Sequence, residues 1–243
     1  MSNYFKYFPR EFYLFGNETT ADVFQNITIY ADVIDQVKDL STIYQDYYIQ
    51  DNERADQVSY KLYGTPNYYW TFFLMNNKLR EQGWPLSNKK VLEYAQKYYP
   101  NKTLTTRDSL STITGFYKTG DVVEGRSSGA TGNIVHRNLD IGQITVKVTS
   151  GTFLSTENIG TDGTTEIVKL TAAEDEYNAA HHYEDSSNVW TDIDPTVGPG
   201  GLLTEVTVLD RLYTQNNDLR QIRIIKSGLI NEIVTSFRKA VKS

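Results

Sequence analysis

Pro100 divides two kinds of apolar periodicity, and this division limits the possible folds more than any other feature of the chain. Before it, apolar residues recur at helical spacing. Ala55, Val58 and Leu62 make one stripe in a helix expected over 54–63, with Gly64 placed to end it and Pro66 to block continuation. A second helix is expected over 67–75, with Asn67 as N-cap and Trp70, Phe73 and Leu74 turned inward, leaving Tyr68, Tyr69 or Phe72 partly exposed. Tyr47-Tyr48-Ile49 reads as a short strand before these helices and Asp51-Asn52 as a turn. A third helix begins near Ser87 and carries Val91, Leu92, Tyr94, Ala95 and Tyr98 as far as Pro100.

Over 101–170, glycine and β-branched residues dominate and the period changes to two, as in Gln143-Ile144-Thr145-Val146-Lys147-Val148. "FYKTGDVVEG" at 116 and "FLSTENIGTDG" at 153 echo each other. Two weak copies are too few for a solenoid, so a small antiparallel β-domain or barrel is expected. The fold class is therefore α+β, organised as an N-terminal aromatic arm over 1–45, a strand-helix-helix module over 46–100, a β-rich insertion over 101–172, and an acidic loop segment followed by a C-terminal helical segment over 173–243. The aromatics of the arm, among them Tyr4, Phe5, Tyr7, Phe8, Phe12, Tyr13 and Phe15, are expected to pack on the protein's own body. The C-terminal stripe Leu229, Ile230, Ile233, Val234, Phe237 and Val241 predicts an amphipathic helix with a solvated basic face.

Composition narrows the function. A net charge of −6 argues against a nucleic-acid partner, which would require a basic footprint. Without cysteine there are no disulfides, no thiol catalysis and no cysteine-ligated zinc. No apolar run approaches the ~20 residues that cross a bilayer, and the N-terminus lacks the layout of a signal peptide, so neither a membrane nor Sec export is expected. Tyrosine, with 18 copies, suits half-buried surfaces and protein interfaces.

Motifs for catalysis are weak. In "HHYED", His181 and His182 are adjacent, so a regular strand would point them to opposite faces and away from a shared metal ion. They read as structural histidines near a carboxylate, and His136 has no evident partner. "GRSSGATG" at 125–132 lacks the lysine and glycine spacing of a phosphate loop and reads as a hairpin turn. There is no G-x-S-x-G motif. No enzyme activity, cofactor or metal is expected.

Several signatures taken in order resemble a known family: "YFKYFPREF", "DNERADQVSYKLYGTPNYYWTFFLMNN", "GWPLSNKKVLEYAQKYY", "HHYED…VWTDIDP" and "NNDLRQIRIIKSGLINEIVTSF". The set is similar to the baseplate wedge proteins of contractile-tailed phages, typified by the gene 53 product of T-even phages. The resemblance implies a LysM-like module whose first three elements match 47–80, although its closing strand is not evident after Asn77. It further implies a structural virion subunit of the tail baseplate, made in the host cytoplasm and present in multiple copies in a six-fold assembly. Its partners would be other wedge and hub-proximal proteins, contacted through Tyr4, Phe5, Tyr7, Phe8, Tyr68, Tyr69, Arg220, Arg223 and Arg238. The β-rich stretch is an insertion relative to that pattern.

Two other functions compete with this one. LysM modules bind cell-wall glycans, which makes a glycan-binding virion protein the alternative, and an accessory domain of a peptidoglycan hydrolase is a third. The loops that would form a sugar groove, Asp51-Asn52-Glu53-Arg54 and Asn76-Asn77-Lys78, are polar and carry no aromatic to stack on a sugar face, which favours the structural role.

Overall fold

A computed structural model describes residues 9–16, 19–25, 43–108, 115–161 and 167–240. It divides into two compact units, Met1–Ser87 with Asn216–Ser243, and Asn88–Gln215.

In the first unit the chain opens with an antiparallel hairpin, β1 (Arg10–Tyr13) and β2 (Asp22–Gln25), paired from Arg10 with Gln25 to Tyr13 with Asp22. Both faces are open. Phe12 is 76% exposed, and Tyr13, Leu14, Phe15 and Phe24 are exposed beside it. The expectation that the arm's aromatics pack on the protein's body is corrected for these residues. Four-residue strands offer too little face to bury anything alone, and among the described residues these rings pair with one another, Tyr13 with Phe15 at 5.0 Å and Phe15 with Phe24 at 5.5 Å. Tyr4, Phe5, Tyr7 and Phe8 lie outside the described residues.

The strand expected at 47–49 is β3 (Tyr44–Tyr48), and it leads into α1 (Ala55–Tyr63). Gly64 ends α1 at φ 71°, a left-handed conformation that costs glycine nothing. The next turn differs from expectation. Thr65, not Asn67, caps it, because Pro66–Tyr68 is a 3-10 turn whose Asn67 N–H donates to Thr65 Oγ1 at 3.3 Å. The tighter winding shifts the phase of α2 (Trp70–Met75), so Phe72 is fully buried and Phe73 only half-buried, the reverse of the periodicity reading. Asn76 ends α2, and α3 (Asn77–Gln82) follows at once.

The second unit begins with α4 (Asn88–Tyr98), the helix expected to complete the module at 46–100. Next come β4 (Lys102–Thr106), β5 (Val122–Gly125), β6 (Thr131–Asn138), β7 (Gln143–Ser150), β8 (Asn158–Thr161) and β9 (Ile167–Asp175). They close a barrel in the order β4-β7-β6-β5-β8-β9, with β9 returning to β4. The echoing segments noticed in the sequence hold β5 and β8, which pair with each other, Glu124 opposite Gly160. Leu104, Tyr117, Val123, Ile134, Ile144, Val146, Phe153, Ile159, Val168 and Leu170 fill the interior. Where β6 crosses β7, Gly132 is required for space, since a methyl group there would sit 2.5 Å from Val146 Cγ1.

The stretch after the barrel, expected as an acidic loop, holds regular structure. β10 (Ala180–Glu184), β11 (Trp190–Thr191) and β12 (Thr204–Thr207) form a sheet in the order β11-β10-β12, followed by α5 (Val208–Asp218). Alternation hid this sheet because its strands are short and its apolar residues few. It covers part of the barrel's exterior: Gln143 donates from Nε2 to the Ala180 carbonyl at 3.1 Å, and Ile141 packs with Ala180 and Tyr183.

The chain then completes the first unit. β13 (Gln221–Ile225) pairs antiparallel with β3 from Gln221 opposite Tyr48 to Ile225 opposite Tyr44. The partner strand of β3, which was not evident after Asn77, thus comes from near the C-terminus. Ile222 and Ile224 join Ile49, Val58, Phe72 and Leu79 in one cluster. α6 (Ile230–Ala240) buries Ile230, Val234 and Phe237 with Trp70, Leu74, Met75 and Ile225 in another, the Trp70 and Phe237 rings 4.9 Å apart.

Candidate interaction surfaces

The side chains at the turn after β3 are tied to their own unit. Glu53 Oε2 accepts from the Tyr47 hydroxyl at 3.0 Å and the Gln50 amide at 2.9 Å, and Oε1 pairs with Lys61 at 3.0 Å. Burial would raise the Glu53 carboxyl, but the Gln50 amide, Lys61 and Tyr47 together outweigh it and hold it low. Trp84 Nε1 donates to the Glu53 carbonyl at 2.7 Å.

Arg220 belongs to the same construction. It is 3% exposed, and its guanidinium donates to Asp51 Oδ1 at 2.6 Å and to the Leu86 carbonyl at 3.0 Å. It bridges the polar turn and the chain after α3, with its side chain interior to the unit. Arg223 is exposed and stands 4.7 Å over the Tyr44 ring. Arg238 is half-buried on α6. Tyr68 and Tyr69 are half-buried against the two clusters of the unit, and Tyr68 Oη donates to Asn231 Oδ1 at 2.9 Å. Of the nine expected partner residues, Arg220 is interior, Tyr68, Tyr69 and Arg238 are half-buried, Arg223 is exposed, and the other four lie outside the described residues.

A cleft of about 660 Å³ opens beside α3 and β13, lined by Asp46, Asn76, Lys78, Gln221 and Arg223 among others. Among the described residues, no aromatic side chain lines it.

In the second unit, Glu157 is buried beneath the "GRSSGATG" turn, which joins β5 to β6 as expected of a hairpin turn. Its carboxylate accepts from the backbone amides of Leu154, Ser127 and Ser128 and from the Ser128 hydroxyl, at 2.7 to 3.1 Å. Burial alone would raise this carboxyl, but those donors hold it below the usual range. The site is an anion cradle already filled by the chain's own carboxylate.

The two adjacent histidines also depart from expectation. The register of β10 shifts between Ala180 and His182, and this irregularity brings both rings to one side, Nδ1 to Nδ1 at 3.0 Å. His182 Nε2 lies 2.9 Å from Glu184 Oε1, and the Arg211 guanidinium meets His181 Nε2. Arginine can only donate, so His181 Nε2 accepts and its Nδ1–H donates to His182 Nδ1. His182 Nε2–H is then left to donate to Glu184. Burial, then Arg211, then His182 push the His181 pKa down, in keeping with this neutral chain. His136 is exposed on β6. Among the described residues, no group of three or more His, Cys, Asp or Glu is placed to hold a metal ion, and no helix is long and apolar enough to cross a membrane.

No signal in the sequence pointed to the exposed hairpin β1–β2 or to the stacking of Trp190 on His182, with centroids 4.4 Å apart. The Trp190 contact depends on a register that sequence does not display.

Compared with known proteins, residues 13–107 match the family model described as Base plate wedge protein 53. The match is shorter than half the chain; it takes in β2, β3, α1 to α4 and β4, and stops before the rest of the barrel. No curated protein matches the chain.

Proposed function

We propose, from the premise that residues 13–107 are similar to a baseplate wedge family, that this protein is a structural, non-catalytic subunit of a phage tail baseplate wedge. That match is the observation that carries the proposal. The reading includes a contractile tail, several copies around a six-fold axis, and other wedge and hub-proximal proteins as partners. The first unit supplies the surface. The hairpin β1–β2 exposes Phe12, Tyr13, Leu14, Phe15 and Phe24, a concentration of apolar area that water does not favour and a protein partner can cover. Arg223, Arg238, Tyr68 and Tyr69 are proposed as separate contacts elsewhere on the same unit, and Arg220 is interior.

Within this reading β3, α1, α2 and β13 form a LysM-like module whose closing strand arrives from near the C-terminus. The module serves here as a packing unit. Its polar turn is occupied by Glu53, Lys61 and Arg220 contacts instead of presenting a stacking aromatic.

Mixing the purified protein with the other baseplate proteins of its phage should yield a co-sedimenting complex. If every pairwise and pooled mixture sediments as separate species, the wedge assignment fails. Retention on insoluble peptidoglycan that resists salt and is released by chitin oligomers would replace it with glycan binding.

A further inference from the structure

The hairpin formed by β10 and β11 presents an exposed tryptophan on an immobilised base. Trp190 is 60% exposed, and Val189 beside it is also exposed. One face of the indole lies on the His182 ring, with centroids 4.4 Å apart and 29° between planes, and its edge meets His181 at 5.5 Å. The histidines are themselves locked by the chain from Arg211 to Glu184, and His182 is buried. Most exposed side chains lose rotamer freedom when they bind; this one is already oriented, which is how an anchor residue behaves. At 60% exposure Trp190 keeps ring surface available to solvent beyond its contact with His182, and β11 is an edge strand with β10 as its neighbour.

The surroundings decide what that ring surface can receive. Glu184 is the cross-strand partner of Trp190, and Asp185, Asp192 and Asp194 flank it in sequence. Between Lys169 and Arg211 the chain carries nine Asp or Glu and no Lys or Arg. The crowding is felt within the same sheet, where burial and then the neighbouring Glu174 push the Glu205 carboxyl up. Asp185 and Asp194 already accept backbone amides of their own turns, Ser187 and Val189 in one case and Thr196 in the other. They add negative charge but have less to offer sugar hydroxyls. An aromatic face within a field of carboxylates favours a cation, and arginine stacks on indole while pairing with carboxylates.

We propose that the β10–β11 hairpin docks an arginine-rich, extended segment of a partner protein, with the exposed ring surface of Trp190 receiving an arginine side chain. The inference stands apart from the baseplate reading, since it rests on the second unit and its test needs no baseplate protein.

The test uses the full chain and acrylamide quenching of tryptophan fluorescence, because Trp70 is buried and Trp84 half-buried while Trp190 is open. The probes are a synthetic peptide alternating arginine and glycine, its glutamate–glycine counterpart, and chitohexaose. The arginine peptide should shield Trp190 saturably, with affinity falling about tenfold or more between 50 and 500 mM salt as screening sets in. Trp190→Ala, followed by anisotropy of a labelled peptide, should weaken binding about tenfold. Asp192→Asn should weaken it severalfold, and both variants should keep the wild-type melting temperature. Equal binding of the arginine peptide by Trp190→Ala, or no shielding at 50 mM salt, overturns the proposal. So does preferential shielding by chitohexaose, which would make the hairpin a sugar platform.

Discussion

The two units solve the same problem, burying an apolar core, with opposite uses of the chain. The second unit is built from one continuous stretch, and its barrel closes on itself through short connections such as β5 to β6 and β6 to β7. The first unit is split. Its central pair joins β3 to β13 across the whole of the second unit in sequence, and α6 then covers Trp70. Loop-closure entropy grows only logarithmically with loop length, so an intervening domain costs the first unit little at equilibrium. What it loses is independence: without the last part of the chain, neither of its clusters is complete.

This contrast can be broken most severely by ending the chain after Leu219. Removing β13 and α6 takes Ile222, Ile224, Ile225, Ile230, Val234 and Phe237 from the first unit's clusters. Calorimetry should then show its transition gone and the barrel's transition still present. A single unchanged transition would mean that the division is not a thermodynamic one.

Trp70→Ala tests the same dependence with one side chain. Trp70 is buried against Phe237, and truncating a buried tryptophan costs about 3–5 kcal/mol. Denaturant unfolding should show that loss in the first unit only. Loss of assembly with an unchanged midpoint would show instead that Trp70 faces a partner.

The second unit has its own point of failure, the buried Glu157. Replacing it with Gln removes the charge from four hydrogen bonds and should cost about 2–3 kcal/mol. Its carboxyl is held below the ordinary value of 4.5 in the folded state. A lowered folded pKa contributes stability above the unfolded value, and this is lost as pH falls through the folded one. The barrel's acid sensitivity below about pH 4.5 should therefore shrink in the Gln variant.

Smaller effects come from two matched tyrosines. Tyr117 donates to the Ile159 carbonyl in the barrel and Tyr63 to the Ile225 carbonyl in the first unit, both at 2.9 Å. Each Phe substitution should cost about 1 kcal/mol, confined to its own unit. Burial pushes the Tyr63 pKa up from 10.0 to about 12. The neutral form is favoured in the fold, so its share of stability is full below pH 10 and is lost between pH 10 and about 12. Tyr63→Phe should remove that alkaline decline.

The smallest stability effect belongs to Phe12→Ser, within about 0.5 kcal/mol because the ring is exposed. Its readout is assembly: co-sedimentation with baseplate partners should fall while the melting temperature holds.

Local physics was visible in the sequence wherever one residue type decides one geometry. Gly64 ended α1, Pro100 followed the end of α4, and the alternation around Ile144 and Val146 marked a barrel strand. Phase failed where a 3-10 turn intervened, which exchanged the roles of Phe72 and Phe73. Side choice failed where a bulge intervened, which brought His181 and His182 together. In both places one irregular residue re-aims everything after it, and periodicity assumes that none exists.

The sequence by itself determined several elements: the helices between 54 and 98, the strands of the β-rich stretch, and the amphipathic helix near the end. Only the tertiary structure decided their partners. "QIRII" falls within the segment expected to hold loop and helix, and nothing local says that it is a strand closing against β3. Pairing across such a distance is chosen by the shape of the buried cluster it completes, and that shape exists only once the chain has folded.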